Sequence, residues 1–205
     1  MNSRRMIAAT VLTIGLGFGA LAACGTSSSS PTATLPGASA SNGSSPAATE
    51  ANPAGDIPDQ QAFVAFTVPS STVSVKVPEG WSKSTSGGAT TFTDKLNSVT
   101  VAVTAPSSAP TEQSVTSTDV PTLKGAHQNF TLGKVSTVQR PAGPAILVTY
   151  QVDSAPDPVT NKVVRDAVER YTFFKNGHRV DLTLTGPQGS DNVDPWRIVT
   201  DSVTL

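Results

Sequence analysis

The chain has 205 residues, with 14 Lys/Arg against 15 Asp/Glu, 5% aromatic residues and a single cysteine. A near-zero balance with no basic run, and no Lys/Arg interleaved with aromatics, argues against nucleic acid as a partner. One cysteine rules out an internal disulfide, and a free thiol outside a cell would be a liability.

The first residues carry an address. Arg4 and Arg5 make a short positive segment, and Met6 to Ala20 is apolar, small and glycine-rich. That stretch falls short of the about 20 predominantly apolar residues a membrane span needs, and it suits the apolar region of a secretory signal. Leu21-Ala22-Ala23-Cys24-Gly25 follows. Small residues ahead of the cysteine let a peptidase close on the backbone, and the arrangement resembles the bacterial lipobox. The resemblance implies a signal peptide over 1–23, a diacylglycerol thioether on Cys24, and cleavage that makes Cys24 the new N-terminus. A thiolate suits such S-alkylation, and two acyl chains are what stable anchoring takes, at about 0.8 kcal/mol per buried methylene. The expected location is the outer face of the cell membrane, held there through Cys24.

Residues 24–60 read as a linker. From Gly25 to Asp59 the chain is Ser, Thr, Pro, Ala and Gly, without an aromatic residue, and only Leu35 and Ile57 are apolar and larger than alanine. Such a segment cannot bury enough apolar surface to offset the cost of ordering it. About 35 residues reach about 30–36 Å, enough to hold a domain clear of a membrane. Ser/Thr with Pro is also the composition of O-glycosylated stalks. Asn42-Gly43-Ser44 and Asn129-Phe130-Thr131 match the N-glycosylation pattern and are read as chance matches at a bacterial address.

Residues 61–205 read as one domain of α+β class. Phe63–Val68 and Val73–Val77 open it as strands, the second with valines alternating against polar residues. Pro78-Glu79-Gly80 is a turn, followed by Trp81. Thr90–Asp94 and Val99–Val103 are two more strands, with Lys95-Leu96-Asn97 as a turn between them. Thr111–Ala126 suggests a helix that Pro121 splits or delays. Phe130–Gln139 and Ala145–Val152 form a strand pair, and Val163–Lys175 with His178–Thr185 form a hairpin around Asn176-Gly177. Asp194 then caps a terminal helix with Pro195 at its first position, and Trp196, Val199 and Val203 share its apolar face. The expected fold is a mostly antiparallel sheet with two or so helices packed against it.

The order of lipobox, Ser/Thr/Pro linker, Pro78-Glu79-Gly80-Trp81, the Thr90–Asp94 strand, a variable helical segment, a hairpin and the Gly186–Val203 segment with its Trp196 helix resembles the LpqN-type lipoproteins of mycobacteria and their relatives. The resemblance covers about Val64 to Leu205. It implies a PsbP-like α/β/α sandwich and an accessory, assembly or binding role, and it supplies no catalytic residues.

The residues themselves carry little chemistry. His178 and Asp181 lie three apart, on opposite faces of a strand, and His127 sits elsewhere. Two histidines and no available cysteine make a poor metal set. There is no Gly-x-Ser-x-Gly elbow, and Gly186-Pro187-Gln188-Gly189 lacks the Lys-Ser/Thr of a phosphate loop. No catalytic residue, metal or cofactor is expected. Arg165, Asp166, Glu169 and Arg170 form a charge-rich stretch in a sparsely charged domain. It is either a solvated face with weak cross-strand pairs or a docking surface. Three roles compete: a non-enzymatic envelope lipoprotein engaging a protein partner, a carrier of a small apolar molecule such as a lipid, and, third, a hydrolase. The first is the primary expectation and the carrier the alternative. The carrier predicts an apolar cavity of roughly 300–1,000 Å³ beneath Trp196.

Overall fold

A computed structural model describes residues 54–205. The signal, Cys24 and most of the linker lie outside the described residues. Nine strands appear: β1 Phe63–Thr67, β2 Ser74–Pro78, β3 Ser82–Ser86, β4 Ala89–Asp94, β5 Asn97–Thr104, β6 Thr131–Arg140, β7 Gly143–Asp153, β8 Arg165–Lys175 and β9 His178–Pro187. The helical pieces are α1 Glu112–Ser114, a π-turn over Val115–Asp119, α2 Val120–Ala126 and α3 Val193–Asp201. β1 and β2 pair with each other, and the other seven make one antiparallel sheet in the order β3-β4-β5-β9-β8-β7-β6. Helices cover both faces, so the α+β reading holds.

Strand parity decides what each face is made of. On one face the rung Val101, Leu182, Tyr171 and Leu147 runs across β5, β9, β8 and β7, with Val99, Leu184, Phe173 and Val180 beside it. Most of these are fully buried, under Trp196 and Val199 from α3, Val203 just past its end, and Val75 and Val77 from β2. Phe66 meets Phe92 edge-on with centroids 5.0 Å apart. On the opposite face Ile146, Val148, Tyr150 and Val152 of β7 join Val168 under Val115, Val120 and Leu123 of the helical segment. Aliphatic residues thus fill one half of each face, and each helix sits on the half that needs cover.

Three local features differ from the sequence expectation. β3, Ser82–Ser86, has no apolar residue and is exposed throughout. It forms because Gly87 and Gly88 both take positive φ and return the chain onto β4. Pro121 does not break its helix. Val120 N–H bonds to the Val115 carbonyl, five residues back, and this wider turn accommodates a residue that lacks an N–H and crowds the preceding turn. Thr111 and Ser114 close a capping box at its start. The last helix begins at Asn192, not Asp194. The Asn192 side chain is engaged elsewhere, accepting from Ile57 N at 2.8 Å and donating to the Gly55 carbonyl and to Asn97 Oδ1, both at 3.0 Å. Ile57, read as linker, is 4% exposed in the main core. The folded body therefore begins before residue 61, because two buried asparagines satisfy the backbone of 55–57. Gly186 leaves them room: a Cβ there would stand 2.6 Å from Asn97 Oδ1.

Candidate functional site

The half of each face that is not aliphatic forms the floor of an open groove. Beside α3 the floor is Thr149, Gln151, Ala167, Glu169 and Tyr171, where rungs that begin as Val99 and Leu184 become polar across β8 and β7. Trp196, Val193 and Arg197 of α3 make one wall, and Leu132 and Arg140 of β6 stand opposite. The volume is about 580 Å³. Val193 and Leu132 expose apolar surface at the rim. At the floor, Tyr171 Oη donates to Glu169 Oε2 at 2.8 Å and accepts from Arg140 Nη2 at 3.0 Å. The Arg140 guanidinium lies 5.1 Å from the centre of the Tyr171 ring, and its Nε is 3.6 Å from Asp201. Burial, with the Glu169 bond behind it, pushes the Tyr171 phenol up to about 12. The ring hydroxyl is therefore neutral at ordinary pH and serves as a hydrogen-bonding group rather than a base. Arg140 Nε and Ser190 Oγ are buried without a hydrogen-bond partner among the described residues. Ligand or water donors and acceptors have somewhere to bind.

The groove on the other face is larger, about 970 Å³. Its floor is a hydroxyl lawn on β4, β5 and β9: Thr91, Thr100 and Thr183 in one rung, Thr93, Ser98 and Thr185 in the next. Thr91 and Thr100 bond each other at 2.9 Å. Leu123 of α2, His127 just past its end and the loop 154–164 make the walls. Asp157 shapes that loop, its Oδ1 accepting from Val159 N, Thr160 N and Thr160 Oγ1 at 2.7–3.0 Å. Under the helical segment lies an ion-pair network. Asp181 bonds Arg179 Nε at 2.9 Å, Arg170 Nη2 at 3.0 Å and Thr172 Oγ1 at 2.7 Å, and Arg179 also pairs with Asp119 of the π-turn.

The charge-rich stretch read from sequence does not form one surface. Arg165 and Glu169 point to the α3 face and Asp166 and Arg170 to the other, as alternation along β8 requires. None is exposed, and Asp166 is 8% exposed. Arg165 is spent on Asp153 at 3.1 Å, the Asn129 carbonyl and Thr131 Oγ1. Arg170 is spent on Asp181 and Thr183. Glu169 opens into the α3 groove, and Asp166 and Arg170 into its counterpart, so the four divide between two faces. His178 is exposed at the β8–β9 turn and Asp181 is buried across the sheet, so they do not converge. No cluster of three or more His, Cys, Asp or Glu suited to a metal occurs among the described residues, and none of the described helices is long and apolar enough to cross a membrane. Arg140, Tyr171 and Asn192 carried no functional signal in sequence. Their roles come from contacts with residues far along the chain.

No family model and no curated protein matches the chain. Solved structures with a similar course include a Pseudomonas aeruginosa protein of unknown function, 11% identical, with 70% of this chain and 96% of that one covered and a TM-score of 0.45. The Saccharomyces cerevisiae Ran-binding protein Mog1p is 10% identical over 66% of this chain and 82% of its own, with a TM-score of 0.41. LpqN of Mycobacterium tuberculosis, involved in cell envelope biogenesis, is 15% identical over 71% of this chain and 90% of its own, with a TM-score of 0.39.

Proposed function

We propose that this chain is an exported lipoprotein, anchored through Cys24 to the outer face of the cell membrane, whose domain binds a protein partner in the envelope without catalysing a reaction. The observation that carries the reading is the α3 groove. It combines an apolar rim of Val193, Leu132 and Trp196 with a fixed polar floor of Arg140, Tyr171 and Glu169. Such a pairing receives an apolar side chain and reads a polar group beside it. The groove also borders the point where the chain joins the domain, since Asn192 lines it and holds Gly55 and Ile57.

A second reading, a carrier of an amphipathic envelope molecule, draws on the size of the same groove and on Trp196 in its wall. The polar floor disfavours a purely apolar cargo, which would leave Arg140 and Glu169 facing hydrocarbon. One experiment separates the two. A photo-crosslinking amino acid is placed at Val193 of the full chain in its own envelope. Crosslinking to a discrete protein supports the partner reading, and a mass gain extracted as lipid supports the carrier. Detergent-phase partitioning of the wild type, lost in Cys24→Ser, tests the anchor. An aqueous wild type overturns it.

A further inference from the structure

Asp166 is the one described carboxylate that is nearly buried and has neither a cation nor a hydrogen-bond donor within reach. Asp181, buried to the same degree, holds two arginines and Thr172. Asp153 holds Arg165 and Asn129. Asp166 lines the larger groove, at the end of the hydroxyl floor, on the rung next to Val168 and opposite Val152. The nearest guanidinium on its face, Arg170, is already committed to Asp181 and Thr183. A largely buried side chain whose carboxylate opens into a groove without a partner is costly to ionise, and such a group is a candidate for pairing with a ligand.

The surroundings say what arrives. On the strand next to Asp166 the groove offers the Thr185 hydroxyl, and Ser98 and Thr93 continue that rung one and two strands farther on; none has a recorded side-chain hydrogen bond, and Thr185 can accept from a ligand N–H. Apolar surface lines the groove as well, Leu123 on α2, Val152 on β7, and Pro156 and Val164 on the loop, beside the exposed Lys95 and Lys162. A bare metal ion would find Asp166 alone uncommitted, since Asp153 is held by Arg165 and Asn129 and Asp157 by its own loop, and would leave the apolar surface unused. An anion would meet Asp166 itself. From this juxtaposition we infer that the groove between α2 and the 154–164 loop binds an organic ammonium group, its N–H donors on Asp166 and the flanking hydroxyls and its apolar body against Leu123, Val152 and the loop. This site lies on the face opposite the α3 groove and does not depend on the proposed partner or anchor. Asp166 is also reluctant to ionise: burial, then the charge of Asp153, pushes it up to about 6. A cation seated beside it would relieve that cost.

The test uses the full chain in lipid nanodiscs, with empty nanodiscs as the blank, and three probes that share one body: 4-phenylbutylamine, 4-phenylbutanol and 4-phenylbutyrate. Saturable binding of the amine, at least about 10-fold tighter than the alcohol and with no uptake of the acid, supports the site. Asp166→Asn should erase the preference of amine over alcohol while the domain stays folded by circular dichroism. Thr185→Val, which leaves the carboxylate in place, should weaken the amine by about 3–10-fold. Competition of the soluble amine by phosphatidylethanolamine nanodiscs, but not by phosphatidylglycerol ones, would support the site and identify a lipid headgroup as the source. Undiminished binding without such competition supports it with a free amine as the source. Equal affinity for amine and alcohol, amine binding that survives Asp166→Asn, or no saturable amine binding overturns the proposal. So does saturable binding of a neutral oligosaccharide in place of the amine, which would assign the hydroxyl floor to a polyol.

Discussion

The two faces of the sheet are complementary in an unusual way. Where the α3 face is aliphatic, over β4, β5 and β9, the other face carries threonines, serine and the Asp181 ion pairs. Where the other face is aliphatic, over β6, β7 and β8, the α3 face carries Glu169, Gln151 and Thr149. The faces also hold their helices differently. α3 is seated by buried Trp196, Val199 and Thr200, whereas in the α1–α2 segment only Val115 is fully buried, Val120 and Leu123 are partly so, and polar ties add to them. One face is secured by packing and the other by lighter packing reinforced with directed bonds. A sheet that alternates in this way can carry a helix and an open groove on each side at once.

That contrast can be broken most forcefully in the dry half. Phe173→Ala empties a fully buried position under α3 and should lower the unfolding free energy by about 3–5 kcal/mol in urea. Val115→Ala removes two methyls from the helical segment and should cost about 2 kcal/mol. It should also speed amide exchange over 112–126 ahead of the sheet, and equal exchange across both would contradict the contrast. Next comes the joint at residues 55–57. Asn192→Ala leaves the Ile57 N–H and the Gly55 carbonyl without that partner and should cost about 2 kcal/mol, with faster proteolysis ahead of Phe63 as its signature.

Asp166 tests the polar half. Its folded pKa of about 6 lies above the ordinary carboxylate value, so the folded protein holds that proton more tightly than the unfolded chain does. Its contribution to stability is complete below about pH 4 and is lost as the pH rises through about 6. Asp166→Asn should therefore be more stable than wild type at pH 8 by about 1–2 kcal/mol, after allowance for water in the open groove, and the difference should vanish by pH 4. A variant equally stable at both pH values would mean the carboxylate has a donor after all. The smallest effect concerns Glu112. Its carboxylate accepts from both Thr137 Oγ1 and Thr137 N, which holds its pKa below the usual range. Carbon-13 NMR should show it titrating early, and Thr137→Val should return it part of the way while the backbone bond persists.

Much of this fold was legible because valines alternate. β2, β5 and β9 place their large apolar residues on one parity, β7 does so from Val148 to Val152, and Asn176-Gly177 marks its hairpin without help from the rest of the chain. β3 was not legible, since an edge strand exposed on both sides needs no apolar residue and is held by its neighbour's backbone. Asn97 reads as a turn residue, and Asn192 carries no signal of its own beside Asp194. Their burial follows from meeting each other and residue 55, at separations that no local pattern encodes. The charges of β8 were visible, but their meaning was not: parity sends them to opposite faces, and only the register shows which already have partners.

The asparagine joint has a mechanical consequence. Any pull along the chain ahead of Gly55 is delivered to Asn192 at the head of α3 and to Asn97 at the head of β5, through hydrogen bonds that share the load with the buried Ile57 side chain. The far end of the chain is fastened on the same side, Thr204 and Ser74 exchanging two backbone bonds. Tension on the preceding chain would thus be borne by several contacts that must fail together, beside the α3 groove that Asn192 lines.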